Sequence, residues 1–229
     1  PRLGLYLRMS LRCCISRSAD MVNIVYRTMA PEDKSEVVKL HDEVFAKLEP
    51  LNRALGHING HPYFPVYFDL VVTENVSHVA WDQDAKRIES FRQSQKFATE
   101  DQINSLSIIA AILDTVASKA PEEVKQADRL FIIGIGVVHP EYQRLGIHRR
   151  FCQLREQEAR DADCNAIKVE ATSAFSQANY RKLDFCYAGE VEYANFRFKG
   201  KQVFNKEMMG DHRAVQLYYK VLPGPQRKT

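Results

Sequence analysis

The longest apolar run in the chain, Leu130-Phe131-Ile132-Ile133-Gly134-Ile135-Gly136-Val137-Val138, constrains the fold more than any other segment. Its nine residues are too few to cross a bilayer as a helix, which takes about 20. A run so continuous reads as a central strand buried on both faces. Gly134 and Gly136 weaken a strand interior, and glycines in such a place mark a bulge or a close approach by another backbone or a ligand. Covering both faces takes a sizeable chain. The 229 residues, 45% hydrophobic and 10% aromatic with a formal net charge of +3, exclude disorder and suit one α/β or α+β domain.

The 32 basic and 29 acidic side chains are interspersed. Nucleic-acid binders gather positive charge into a stripe, so no nucleic-acid partner is expected, and no membrane partner either. Cys13, Cys14, Cys152, Cys164 and Cys186 contain no C-x-x-C spacing, which argues for reduced thiols in the cytoplasm rather than a disulfide framework or zinc knuckle. His41, His57, His61, His78, His139 and His212 lack ligand spacing with cysteine or carboxylate, so no metal is expected. No G-x-S-x-G signature is present. Residues 1–20 carry Arg2, Arg8, Arg12 and Arg17 among serines, as mitochondrial presequences do, and Met21 before Val22-Asn23-Ile24-Val25-Tyr26 reads as an initiator. The expected division is an extension over 1–20, one domain over 21–223 and a tail over 224–229. The expected address is the cytoplasm or, through residues 1–20, the mitochondrion.

Strands and helices alternate through the domain. Val22–Arg27 reads as a strand, and Pro31-Glu32-Asp33 opens a helix whose stripe of Val37, Val38, Leu40, His41, Val44 and Phe45 ends near Leu48, because Pro50 biases Glu49 away from the α region. Tyr67–Val72 fits helix or strand. Ser77–Trp81 and Arg87–Phe97 flank Asp82-Gln83-Asp84-Ala85 as a hairpin. Thr99 opens a helix that closes before Pro121; after the central strand come a helix over 143–160, a strand over 166–171, a helix over 173–183, and strands over 186–198 and 212–221.

Between Val138 and Arg150 a strand end, a turn set by Pro140 and a helix start carrying Gly146 follow one another. Such a junction presents free N–H groups and a positive dipole end, which suit a phosphate, and Arg144, Arg149 and Arg150 add charge. An ordinary strand-to-helix turn fits the same residues. The segment has no G-x-x-x-x-G-K-[ST], and Gly134-Ile135-Gly136 lies inside the strand rather than after it, so neither nucleotide fingerprint applies.

Val138-x-Pro140-x-x-Gln143-x-x-Gly146-x-His148 resembles the acetyl-coenzyme A loop of the GNAT acetyltransferase superfamily, [QR]-x-x-G-x-[GA] after a strand ending in V-x-P. The resemblance implies a single-domain GNAT fold, with a mixed, mostly antiparallel sheet splayed at its central strand and flanked by helices, and acetyl-coenzyme A as co-substrate. It also implies that backbone N–H groups of Gln143, Arg144, Leu145, Gly146, Ile147, His148 and Arg149 hold the coenzyme pyrophosphate. His148 stands where the pattern has Gly or Ala; an imidazole there crowds the phosphates or, protonated, pairs with them.

Phe45-x-x-x-Glu49-Pro50-Leu51-Asn52 resembles F-x-x-x-E-P-L-N of the insect and nematode arylalkylamine N-acetyltransferases, a GNAT branch acting on dopamine, serotonin and octopamine. Thr172-Ser173-Ala174-Phe175-Ser176 with Lys182-Leu183-Asp184-Phe185 is similar to that branch's S-S-x-[FY]-S and K-L-G-F, with Asp184 in place of Gly. The likeness extends from about Val22 to Leu222.

It implies transfer of an acetyl group to a small primary arylalkylamine. Such an amine has a pKa near that of lysine, about 10.4, so a base must take its proton, and the likeness assigns that to Glu49. Backbone N–H groups near Val137 and Val138 would stabilise the oxyanion. The thiolate proton comes from Tyr180, as in Y-x-K-x-G-F of many GNAT enzymes, or from Ser176 and Thr172, four residues apart and on one face where that turn is helical. Phe45, Tyr63, Phe64 and Tyr67 are candidate walls of an aromatic amine pocket. Two other readings stand beside this one: a noncatalytic or weakly coenzyme-binding module of the same fold, and an enzyme for a polyamine or protein amine.

Overall fold

The computed structural model describes residues 22–56, 64–73, 75, 77–95 and 107–223. The first strand, β1 (Ile24–Thr28), leads to a 3-10 turn, Pro31–Asp33, and a helical run made of α1 (Lys34–Leu40), a π-helical segment His41–Phe45 and α2 (Ala46–Leu48). Asp33 anchors the start: its carboxylate accepts from the Ala30 N–H at 2.8 Å and pairs with Arg27 at 2.6 Å. Val37, Leu40 and Val44 bury the predicted stripe. The run stops at Glu49 (φ −70°, ψ 126°), as expected of a residue before proline, and Pro50 opens α3 (Pro50–Ala54), where its missing N–H costs nothing. The ambiguous segment is a helix, α4 (Phe64–Val72), because Phe64, Phe68, Val71 and Val72 fall on one buried side.

The hairpin of β2 (His78–Asp82) and β3 (Arg87–Gln95) follows. Asp82, expected in its loop, ends β2 instead, and its Oδ1 caps the turn by accepting from the N–H groups of Asp84 at 2.9 Å and Ala85 at 3.0 Å. Thr99, the expected start of the next helix, lies outside the described residues, within which α5 spans Ser107–Ala117, and a short α6 (Glu122–Lys125) lies beyond Pro121. The apolar run is β4 (Leu130–Val138). Then come a 3-10 turn Pro140–Tyr142, α7 (Ile147–Asp161), β5 (Ala166–Ala171), α8 (Ala174–Arg181) and β6 (Cys186–Glu192). A small hairpin of β7 (Arg197–Phe198) and β8 (Lys201–Gln202), the single turn α9 (Lys206–Met209) and β9 (Ala214–Val221) complete the order.

Three expected boundaries are corrected. The helix placed at 143–160 begins at Ile147, because Arg144 (φ 67°) and Gly146 (φ 78°) are left-handed. The strand placed at 186–198 ends at Glu192, where a 3-10 turn, Tyr193–Asn195, plunges the Tyr193 ring into the core. The last strand begins at Ala214 rather than His212, whose N–H closes the end of α9 on the Met209 carbonyl at 3.0 Å.

Seven strands form one sheet in the order β1-β2-β3-β4-β5-β9-β6, antiparallel except for β4 beside β5. On β2, Val79 faces α1 and α4 while Ala80 faces α7; on β5, Ala166 faces α5 and α6 while Ile167 faces α7 and α8. Adjacent strand residues point to opposite faces, so α7 and α8 form one layer and α1, α4, α5 and α6 the other. The fold class read from the sequence, a mixed and mostly antiparallel sheet flanked by helices, is the one observed.

Candidate active site

Two breaks in regularity shape the centre of the sheet. β4 and β5 pair only from Leu130↔Ala166 to Ile132↔Lys168, so beyond Ile132 the two strands part. On its other edge β4 carries a bulge: Ile133 opposes Ser94, but Gly136 opposes Arg92, which leaves one extra residue at Gly134-Ile135. The bulge reverses the alternation. Phe131 and Ile133 pack toward α7 and α8, whereas Ile135 and Val137 pack against α1 and α4. Both glycines sit where the sequence placed a bulge or a close approach.

Glu49 lies at the break between α2 and α3. Its Oε2 accepts from the Asn52 N–H at 2.6 Å, an N-cap made by a glutamate, while Oε1 is buried with no hydrogen-bond partner. Burial pushes this carboxyl above its ordinary range, against the backbone N–H groups of Asn52 and Leu51 and the Thr172 side chain, all of which favour the charged form. Thr172 follows the last residue of β5, where β4 and β5 have already separated. Its carbonyl accepts from the buried Tyr193 hydroxyl at 2.7 Å. Burial and then the Glu49 charge hold that phenol well above its ordinary range.

Thr172 and Ser176 do not share a helical face, as one expectation had it. Thr172 precedes α8, whose N-cap is Ser173, because the Ser173 hydroxyl accepts from the Ser176 N–H at 3.1 Å and so starts the helix one residue later. The Ser176 hydroxyl is tied into that cap, accepting from Ser173 Oγ at 3.0 Å and donating to the Ser173 carbonyl at 2.9 Å. Tyr180, one turn further along α8, is buried between the layers, edge-on to His148 with ring centroids 5.4 Å apart and stacked on Tyr218 at 5.8 Å. The structure thus separates the three hydroxyls: Thr172 beside Glu49, Ser176 in a cap, Tyr180 toward α7.

The segment before α7 is open to solvent. Gln143, Arg144, Gly146 and Arg149 are exposed, Leu145 is half-buried, and the first intrahelical bond runs from the Arg150 N–H to the Gly146 carbonyl at 3.0 Å. A Cβ on Gly146 would meet nothing within 4 Å, so its neighbourhood leaves space for a ligand. Helix-start N–H groups of Ile147, His148 and Arg149 have no carbonyl one turn back within the helix. The His148 ring turns inward, with Nε2 3.6 Å from Cys152 Sγ and its face toward Tyr180.

Of the expected amine-pocket residues, Phe64 is buried and stacks on His41 at 3.5 Å, and Phe45 lies 5.3 Å from the same ring. Both belong to the cluster that contains Val137. Tyr63 and the Tyr67 side chain lie outside the described residues. Tyr193, which lies within reach of the Glu49 charge, and His212, bound to the Ala174 N–H two residues past Thr172, are not among the expected site residues. Tyr193 gave no signal, being one aromatic in an expected strand. His212 was considered only as a metal ligand; its Nδ1 accepts from the Ala174 N–H at 3.1 Å, and its ring meets Phe175 at 5.9 Å. Among the described residues no cluster of His, Cys, Asp and Glu has the arrangement of a metal site, and no helix is long and apolar enough to cross a membrane.

No family model matches the chain, and no curated protein matches it in sequence. Solved structures do match. Arylalkylamine N-acetyltransferase 2 of Aedes aegypti superposes with a TM-score of 0.76 at 23% identity, over 88% of this chain and 100% of that one. A mosquito arylalkylamine N-acetyltransferase-like protein, 5b, gives 0.70 at 17% identity over 87% and 100%. The polyamine N-acetyltransferase of Drosophila melanogaster gives 0.72 at 14% identity over 87% and 100%. With a sheet parted at its central strand, a bulge in β4, and helices on both faces, the chain has the GNAT acetyltransferase fold.

Proposed function

We propose that the protein is an acetyl-coenzyme A dependent N-acetyltransferase for a small arylalkylamine, with Glu49 as the general base. The observation that carries this reading is a buried carboxylate whose Oε1 has no partner, set beside the parted end of β5. A structural N-cap needs one oxygen. The second, desolvated and with its affinity for protons raised, suits acceptance of a proton from an ammonium group.

The residues present fit the coenzyme: an exposed helix start with room at Gly146, arginines at 144, 149 and 150, and a gap between β4 and β5. When bound, acetyl-coenzyme A supplies the acetyl group as a thioester. N–H groups over Gln143–Arg149 would hold its pyrophosphate. Glu49 takes the proton of the ammonium, freeing the nitrogen lone pair to form the bond to the thioester carbon. The backbone of Val137 and Val138 faces the negative charge that develops on the carbonyl oxygen. As the carbon–sulfur bond breaks, Tyr180 would give its proton to the sulfur and regain one as the acylated nitrogen sheds its second proton, a role that its contact with His148 supports. Thr172 orients Glu49, and Ser176 fixes the α8 start. Phe45 and Phe64 wall the aromatic end of the amine.

Release of coenzyme thiol in the presence of tryptamine, dopamine and octopamine tests the reading. Glu49→Gln should lower kcat/KM roughly 10²–10⁴-fold at neutral pH, and less as pH rises and more of the amine is free. A variant with full activity across the pH range would remove Glu49 from the mechanism.

A further inference from the structure

The exposed loop ahead of α7 is held at both ends. Tyr142 closes the 3-10 turn on one side and Ile147 opens α7 on the other; both side chains are buried, in one apolar cluster with Ala80 of β2 and Phe151 of α7. Between them, residues 143–146 lie outside any helix or strand, and Arg144 and Gly146 are left-handed. A further tie reaches this loop from a distant element. The Tyr142 hydroxyl donates to Asp82 Oδ2 at 2.6 Å, and Asp82, at the end of β2, is fully buried. The other oxygen, Oδ1, accepts from the N–H groups of Asp84 and Ala85 at 2.9 and 3.0 Å, so one carboxylate joins the β2–β3 turn to the residue before Gln143. β3 adds a second link, because the His139 N–H donates to the Glu89 carbonyl at 3.0 Å. Apolar burial keeps the Tyr142 ring in its cluster; the bond to Asp82, directional and short, sets where the ring and its backbone stand.

We propose that Asp82 and Tyr142 are positioning residues for the coenzyme: the bond between them fixes the backbone of residues 143–146 in the arrangement that receives the pyrophosphate. The inference rests on the acetyltransferase reading, with the coenzyme at the start of α7. A loop whose N–H groups already stand in place loses little freedom when the ligand binds, whereas one that must first be ordered binds more weakly. Both residues act through the loop backbone. Burial, and then the bond to Asp82, push the Tyr142 hydroxyl up to about 12, so the phenol remains the donor at neutral pH.

The test is the Kd of coenzyme A by calorimetry, with kcat and KM for acetyl-coenzyme A and for S-acetylpantetheine, a thioester without the pyrophosphate. Tryptamine serves as the amine, and the temperature lies below every variant's Tm. Tyr142→Phe keeps the ring and removes the donor; Asp82→Ser keeps a cap oxygen for the turn but is too short to meet the phenol. Each should raise the coenzyme A Kd and the acetyl-coenzyme A KM roughly three- to tenfold and leave kcat/KM for S-acetylpantetheine unchanged. Asp82→Asn, whose amide can both cap the turn and bond the phenol, should stay close to wild type. A lowered Tm with unchanged coenzyme affinity would show that the pair only stabilises the fold and overturn the proposal. An equal loss with S-acetylpantetheine would overturn it too, because the effect would not run through the pyrophosphate. Coenzyme binding without acetylation of any amine would remove the enzyme reading and leave the Kd comparison to decide the role of the pair. If the wild type binds no coenzyme A, both readings fall together. Should Tyr142→Phe fail to fold, the Asp82→Ser and Asp82→Asn pair decides the question.

Discussion

Glu49 sits at a helix start, where a carboxylate normally gains from the N–H groups beside it, yet burial outweighs them and the carboxyl binds its proton more tightly than in the unfolded chain. The consequence for stability has a definite sign. Between the ordinary carboxylate pKa and the raised folded value, the native state holds more protons than the unfolded state, so stability falls as pH rises through that window. Glu49→Gln keeps the shape, and its carbonyl oxygen can still accept from the Asn52 N–H. Thermal melts should therefore show the variant gaining on wild type as pH rises from acid to neutral, with the difference vanishing below the ordinary carboxylate pKa of about 4.3. A difference that does not depend on pH would show that Glu49 is ionised at no cost. The motif around Glu49 was legible in the sequence because its neighbours Pro50 and Asn52 are part of one local turn. Tyr193 and His212 were not, since Tyr193 meets the Glu49 charge from 144 residues along the chain and His212 meets Ala174 from 38, through the packing of the 193–195 turn and α9.

At the scale of elements, α7 is fastened to β2 by a buried polar set. Arg155, fully buried, meets His78 Nδ1, and His78 Nε2 lies 3.0 Å from Glu158 Oε1. Burial, and then the Arg155 guanidinium, push the His78 pKa from 6.5 down to about 3. The ring stays neutral in the fold while the unfolded chain protonates it below about 6.5, so stability is full above that pH and is lost as pH falls toward 3. Removing the histidine flattens this dependence. His78→Gln should show a shallower fall of the urea midpoint between pH 6.5 and about 3, whatever it costs at neutral pH. An unchanged slope would assign the acid sensitivity elsewhere. Nothing in the sequence marks Arg155 out from the other charges of its helix, and only the contact between layers shows that it faces inward.

At the scale of the whole molecule, the parted β4 and β5 and the open start of α7 are the two places to which the proposed function assigns the coenzyme. A ligand bound there stabilises only the native state. At 100 times its Kd, acetyl-coenzyme A contributes about 2.7 kcal/mol, which for a chain of this size raises Tm by roughly 5–10 °C. A melt with and without millimolar acetyl-coenzyme A checks this. No shift would favour the reading in which the fold acts as a noncatalytic module.

The sequence by itself determined the central strand, the glycine pair that bulges it, the proline that breaks the chain at Glu49, and the presence of a strand-turn-helix junction between Val138 and Arg150. Each is a short-range matter of side-chain polarity and allowed backbone angles, so neighbours in sequence suffice to set it. Tertiary structure alone decided where α7 begins, that the chain turns into the core at Tyr193, and that Thr172 stands apart from the α8 face carrying Ser176 and Tyr180. It also decided what surrounds Glu49. Burial and distance between groups remote in sequence set proton affinity, and both exist only once the layers have packed.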